Sequence, residues 1–273
     1  MTIAVVWLED DFLWCAADTR LVGGAEDNPT MEIASKIYVI PVAISAQVPG
    51  GEVRIPHFWT QYGFVYAGST SPATMTAVTA STFLQKLVRP GDRLNPPTFN
   101  EMAKLVCRLA NRFMQDSRRF GMDGKFSAAF FGWCPHEEEY KVAYIDGRDD
   151  GGSFRVEYST PEQPAAQGEP WLVLGSAAKT FRSTLGEYMA TEEHIDSRVP
   201  LRVIEKMVAE GSDRTVGGAT SVGAAHKHGF ELFCAVEPLV SGQSALRRVF
   251  NGLDLDAEVG TVGPYFVAVR GIA

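Results

Sequence analysis

The feature that most constrains the fold is how hydrophobic periods are grouped: β-like runs come several together and helical periods come in pairs. Ile3 to Leu8 and Phe12 to Ala17 are apolar and rich in β formers. Joined across the acidic turn Glu9-Asp10-Asp11, they predict a hairpin of buried strands. "KIYVIP" (36–41) predicts a third strand and "GFVYAG" (63–68) a fourth, with the turn-rich "AQVPGGEVRIPHFW" between them as a long hairpin or loop. The period then changes. Ser71-Pro72 opens a helix running to Val88. Thr98 to Glu101 forms a capping box for a second helix, which carries Met102, Leu105, Val106, Leu109 and Phe113 on one face and stops near Gly121.

The second half repeats the plan. Strands are predicted over 125–133, 138–146 and 153–159, and a short one over 171–175 runs into a helix from about Ser176 to Ala190. Another helix spans Pro200 to Glu210, closed by Gly211, and final strands follow at 230–236 and 264–271. Residues 241–260 show no clear period. Strands in runs with helices in pairs predict an α+β chain of antiparallel sheets covered by helices, not alternating βαβ units. No linker interrupts the pattern, so residues 1–273 are expected to form one domain.

A chain of 273 residues with 45% hydrophobic content can bury a sizeable core. Its formal net charge of −8, from 33 acidic and 25 basic residues with no basic block, argues against a nucleic-acid or anionic-membrane partner. The first charges are Glu9, Asp10 and Asp11, which is not the positive start of a signal peptide. No apolar run approaches the roughly 20 residues that span a bilayer. Cys15, Cys107, Cys134 and Cys234 lie far apart and are expected to be reduced, buried thiols in a cytoplasmic protein. No cofactor or metal is expected. "GSAAKT" (175–180) lacks the second glycine of a P-loop, "CPHEEE" and "HKH" lack zinc spacing, and "DGRDDGG" is too short for a calcium loop.

The opening "TIAVVWLEDDFLWCAADTR" (2–20) resembles the β-subunits of the proteasome and their bacterial relatives, within the N-terminal nucleophile (Ntn) hydrolases. Thr2 matches the threonine that opens the first strand, Asp18 in "AADTR" the acid ending the second, and Lys36 in "SKIYVI" the lysine starting the third. Gly68 in "YAGS" matches the glycine between the fourth strand and first helix. Gly175-Ser176 match the pair before the third helix, and "DRTVGG" (213–218) an Asp followed by paired glycines. The Asp18–Lys36 spacing is a couple of residues longer than usual, taken up in the loop at Glu26-Asp27-Asn28-Pro29. The family's second supporting serine falls on Val216. The resemblance covers about residues 2–240 and leaves 241–273 as a C-terminal extension. It implies a four-layer αββα sandwich of two antiparallel sheets flanked by helix pairs. It also implies a self-compartmentalising homo-oligomer, with a ring as one form of it and an ATP-dependent unfoldase as a candidate partner.

The resemblance assigns chemistry to these residues. A threonine hydroxyl needs a base within reach, and the α-amine freed by removal of Met1, with a reference pKa of roughly 7.7–8.0, supplies one. Lys36 would favour the ionised hydroxyl, Asp18 would hold that ammonium, and the Gly68 N–H would face the oxyanion. Ser176 and Asp213 would orient the amine, with a water. Arg20, Leu21, Tyr66 and Thr70 are the implied substrate contacts, and the bulk of Tyr66 would favour small side chains. Singly, each residue also fits an ordinary strand end, turn or helix cap. Together they predict a threonine-type hydrolase of peptides or unfolded proteins, acting through an acyl-enzyme. Two alternatives stand beside it: a catalytically inactive assembly subunit, to which Val216 or a retained Met1 would point, and an amidase acting on a small molecule.

Overall fold

The computed structural model describes residues 2–23, 28–46, 56–89, 95–150, 153–166, 168–191, 198–237 and 246–272. In chain order, strands β1 (Ala4–Glu9), β2 (Phe12–Asp18), β3 (Leu21–Gly23), β4 (Asn28–Met31), β5 (Ile37–Ala46) and β6 (Pro56–Gly68) lead into helix α1 (Thr70–Leu84). Strand β7 (Leu87–Arg89) and helix α2 (Phe99–Arg119) precede β8 (Phe126–Cys134), β9 (Glu139–Asp150), β10 (Ser153–Ser159) and β11 (Pro170–Leu174). Helices α3 (Ala178–Thr191) and α4 (Val199–Glu210) follow, then β12 (Thr220–His226), β13 (Gly229–Glu237) and β14 (Arg247–Phe250). Short strands β15 (Leu253–Asp254), β16 (Thr261–Val262), β17 (Tyr265–Phe266) and β18 (Gly271–Ile272) end the chain. Mainly antiparallel sheets with two helix pairs make this an α+β fold.

The described residues group into two compact units. The first comprises Met1–Ile37, Pro164–Ala224 and Leu232–Ala273; the second comprises Tyr38–Gln163 and Ala225–Glu231. The first is built on a sheet in the order β11-β1-β2-β12-β13-β14-β15, with β18 alongside β13. Its centre is the β1–β2 hairpin, paired in register from Ala4↔Ala17 to Glu9↔Phe12. Asp10 and Asp11 make the turn with φ of 49° and 61°, the double left-handed geometry that matches strand twist and that Asp tolerates. One sheet face places Ile3, Val5, Trp7, Ala16 and Val222 against Phe181 of α3 and Leu201, Ile204 and Met207 of α4.

The second unit is a sheet in the order β10-β9-β8-β6-β5-β7 under α1 and α2. Tyr62, Phe64, Tyr66, Phe126 and Phe130 of the sheet pack with Ala73 and Ala77 of α1 and Val106 and Ala110 of α2. The predicted capping box forms: Glu101 N–H donates to Thr98 Oγ1 at 3.3 Å, and Thr98 N–H donates to Glu101 Oε2 at 2.8 Å. All four cysteines are free and buried.

Several boundaries differ from those predicted. Helix α1 stops at Leu84, and Leu87 and Val88 instead pair in parallel with Ile44 and Ser45 of β5. Strand β6 starts at Pro56 rather than Gly63, so "PHFW" is strand; residues 47–55 lie outside the described residues. The buried face of α2 centres on Ala103, Val106, Ala110 and Met114, with Leu105 and Leu109 only partly buried against it. Strand β12 was not predicted. The expected strand over 264–271 is replaced by the exposed β16–β17 hairpin and by Gly271–Ile272, which run parallel to Cys234 and Ala235. Val249 of β14 pairs antiparallel with Ala235. Of the loop expected at 26–29, Glu26 and Asp27 lie outside the described residues, while Asn28 and Pro29 belong to β4 and pair with β3. Residues 241–245 also lie outside the described residues.

Candidate active site

The β1–β2 pairing does more than build the sheet: it delivers Asp18 to the start of the chain. Asp18 N–H donates to the Ile3 carbonyl at 3.2 Å, and Ile3 N–H donates to Asp18 Oδ1 at 3.1 Å. Thr2, the residue before that doubly held Ile3, is 2% exposed. Met1 lies outside the described residues.

Lys36 comes to the same carboxylate from just ahead of β5. Its Nζ donates to Asp18 Oδ1 at 2.8 Å and to the Arg20 carbonyl at 2.5 Å, with both side chains fully buried. Asp18 Oδ2 accepts N–H donors from Gly217 at 3.2 Å and Arg20 at 3.3 Å. One carboxylate thus gathers an ammonium and three backbone amides. Such saturation is what a buried charge needs to persist. Burial pushes the Asp18 carboxyl above the ordinary carboxylate value, against the pull of Lys36 and the Ile3 and Gly217 amides. Burial likewise pushes the Lys36 ammonium below its usual value, opposed chiefly by Asp18.

The third contributor is the turn after α4. Asp213 is half-buried, and its Oδ1 accepts the Thr215 N–H at 2.9 Å and the Thr215 hydroxyl at 2.6 Å. Val216 N–H donates to the Asp213 carbonyl at 3.0 Å, while the Val216 side chain is buried in the first unit's core. The hydroxyl missing at Val216 is therefore present one residue earlier, aimed at Asp213.

The two glycines that follow fit against strand-end residues. A Cβ on Gly217 would lie 2.2 Å from Arg20 Cζ, and one on Gly218 would lie 2.1 Å from the Glu32 carbonyl oxygen and 2.5 Å from Thr19 Oγ1. Gly218 also has φ of +74°. Gly218→Ala is therefore expected to cost about 3 kcal/mol, from left-handed strain plus overpacking. A urea melt that leaves the midpoint unchanged would contradict this close approach.

Sequence reasoning missed Thr19 and Glu32. Thr19 Oγ1 accepts from Ala219 N–H at 2.7 Å and donates to the Glu32 carbonyl at 2.5 Å, tying three segments together. The Arg20 guanidinium pairs with the Glu32 carboxylate, Nε lying 3.1 and 3.0 Å from its two oxygens. Only its position directly after Asp18 could have flagged Thr19, and nothing local in the sequence flags Glu32.

The remaining predicted residues are placed as follows. Ser176 is exposed in the turn after β11, where Gly175 has φ of +100°. Leu21 is half-buried in β3. Gly68, Tyr66 and Thr70 belong to the second unit. Gly68 ends β6 with φ of +114°, and a Cβ there would meet the Lys125 carbonyl oxygen at 2.7 Å. Tyr66 is fully buried in its unit's core, beside Tyr38 and edge-on to Phe126. Thr70 is half-buried at the first residue of α1. Among the described residues no group of three or more His, Cys, Asp or Glu side chains could hold a metal ion. No helix among them is long and apolar enough to cross a membrane.

No protein-family model matches the sequence, and none of the curated protein sequences does. Solved structures do match. A Gly-1 mutant of Anbu from Hyphomicrobium sp. strain MC1 superposes with a TM-score of 0.53 at 15% identity, over 92% of this chain and 87% of that one. A second Anbu structure from the same strain gives a TM-score of 0.50 at 15% identity, over 91% and 87%. Anbu is a bacterial proteasome-like protein related to the Ntn hydrolases. The chain thus shares the fold of Anbu over most of its length.

Proposed function

We propose that the chain is a threonine-type amide hydrolase acting on peptides or unfolded proteins, with Thr2 as nucleophile once Met1 is removed. The observation that carries this reading is the buried Asp18–Lys36 pair, whose carboxylate also holds the amide of Ile3, the residue after Thr2. An ammonium has three donors. Asp18 and Arg20 take two of them, and the reading gives the third to the Thr2 hydroxyl.

In this scheme Thr2 Oγ attacks the scissile carbonyl while its proton passes to the freed α-amine. A backbone N–H meets the oxyanion, and the departing amine leaves with the proton that the α-amine took up. Water then hydrolyses the ester and restores the hydroxyl. Asp213 and Ser176 orient the amine. In this reading the protein works within a homo-oligomer that restricts access to folded proteins.

A second reading, a non-catalytic assembly subunit, draws on one observation. Val216 presents no hydroxyl, and the Thr215 hydroxyl is committed to Asp213. A panel of fluorogenic peptides set beside small acyl-amides separates the readings. Peptide turnover that disappears in Thr2→Ala supports the hydrolase. Turnover of the small amides alone would assign an amidase, and no turnover from protein lacking Met1 would assign the assembly role.

A further inference from the structure

The Arg20 guanidinium sits against the loop that carries Gly217. Its Nε faces both oxygens of Glu32, and its Nη1 donates to the carbonyls of Arg214 at 3.1 Å and Val216 at 3.2 Å. The Arg20 backbone serves the same centre, its N–H reaching Asp18 and its carbonyl taking Lys36 Nζ. The two carbonyls held by Nη1 lie just ahead of Gly217, and that of Val216 shares its peptide with the Gly217 N–H that reaches Asp18 Oδ2. Gly217 has no room for a Cβ because that guanidinium lies on it.

We propose that Arg20 is a positioning residue: its guanidinium, locked by Glu32, clamps the 213–218 loop so that Gly217 holds the Asp18 carboxylate in line with Lys36. The proposal rests on the reading of Thr2 as nucleophile, and it gives Arg20 a structural part in place of substrate contact. Three features carry it. The guanidinium donors Nε and Nη1 are engaged within the chain. The side chain is 23% exposed, so much of it is packed rather than presented. The planar fork is what lets one residue bridge a carboxylate and two carbonyls, and a lysine at this place could not do so.

The test compares wild type, Arg20→Lys and Arg20→Met for kcat and KM on a cleaved fluorogenic peptide, and for amide hydrogen exchange over 213–219. Glu32→Gln serves as a milder second probe, because it leaves Arg20 and the backbone in place. A small misplacement of catalytic groups costs about 10²-fold in rate. Both Arg20 variants are therefore expected to lose about 10- to 100-fold in kcat with KM little changed. Exchange over 213–219 should rise at least about tenfold, with Glu32→Gln intermediate in both readouts. An unchanged kcat with a raised KM would make Arg20 a substrate contact and overturn the proposal. So would full rescue by Arg20→Lys, or unchanged exchange in folded variants. If wild type lacking Met1 neither cleaves peptide nor reacts at Thr2, the nucleophile reading fails and Arg20's catalytic consequence fails with it. Faster exchange in Arg20→Met would then still report the clamp.

Discussion

Thr2→Ala is expected to lower peptide turnover by about 10³-fold or more while the protein stays folded. On the proposed function the loss is large because one residue would supply both the nucleophilic oxygen and, through its α-amine, the proton acceptor, and alanine keeps only the amine. Removing a nucleophile from comparable machinery costs this much or more, since what remains is binding and oxyanion stabilisation. The structural cost is small. Thr2 is 2% exposed, and deleting one hydroxyl costs about 1 kcal/mol. Steady-state kinetics together with a thermal melt check both halves. A variant that retained wild-type turnover would remove Thr2 from the mechanism.

The second large effect is on stability. Lys36→Met leaves the Asp18 carboxylate fully buried without its cation, at a cost of about 3–5 kcal/mol. At about 2–4 °C per kcal/mol for a chain somewhat smaller than this one, the melting point should fall by roughly 6–20 °C. Asp18→Leu should be worse. It strands the ammonium and also removes the acceptor of the Ile3 and Gly217 amides, each costing about 1–3 kcal/mol if left unpaired; the Arg20 amide keeps the Gly217 carbonyl at 3.0 Å. Combining the two substitutions should recover the charge penalty but not the amide penalty, placing the double variant between wild type and Asp18→Leu.

The sign of the pH dependence follows. Burial already holds the Asp18 carboxyl above its ordinary value, and loss of Lys36 removes the largest force opposing that rise. A raised carboxyl pKa favours folding below about pH 4 and loses that advantage as pH climbs through the folded-state pKa. The deficit of Lys36→Met relative to wild type should therefore be smallest in acid and largest near neutrality. A deficit that does not change between those limits would place the charge penalty elsewhere.

What could be read in the sequence follows from how local each cause is. The acidic turn at Asp10-Asp11 and the Thr98–Glu101 capping box are short-range devices, and both formed where the pattern put them. Strand β12 went unread because Gly223, Ala224 and Ala225 give weak β signals; their burial comes from neighbouring strands. Leu87 and Val88 continue a helical-looking run, yet the open edge of β5 claims them. The same contrast holds at the site. Thr2, Asp18 and Lys36 were singled out through a resemblance, and the structure adds the buried ion pair that joins two of them. The clamp of Arg20 on Glu32 and on the carbonyls of Arg214 and Val216 joins residues far apart in sequence. The need for glycine at 217 arises from the close approach of Arg20, and at 218 from that of Thr19 and the Glu32 carbonyl, which no local pattern announces.

The central claim is tested most directly by incubating the protein, prepared from its own cell, with a peptide epoxyketone, whose capture requires a hydroxyl and a free amine on the same residue. Intact mass and peptide mapping then locate the adduct. The account predicts a chain lacking Met1 that carries a single adduct on Thr2. A chain lacking Met1 that stays unmodified, or one modified only at another residue, would contradict it.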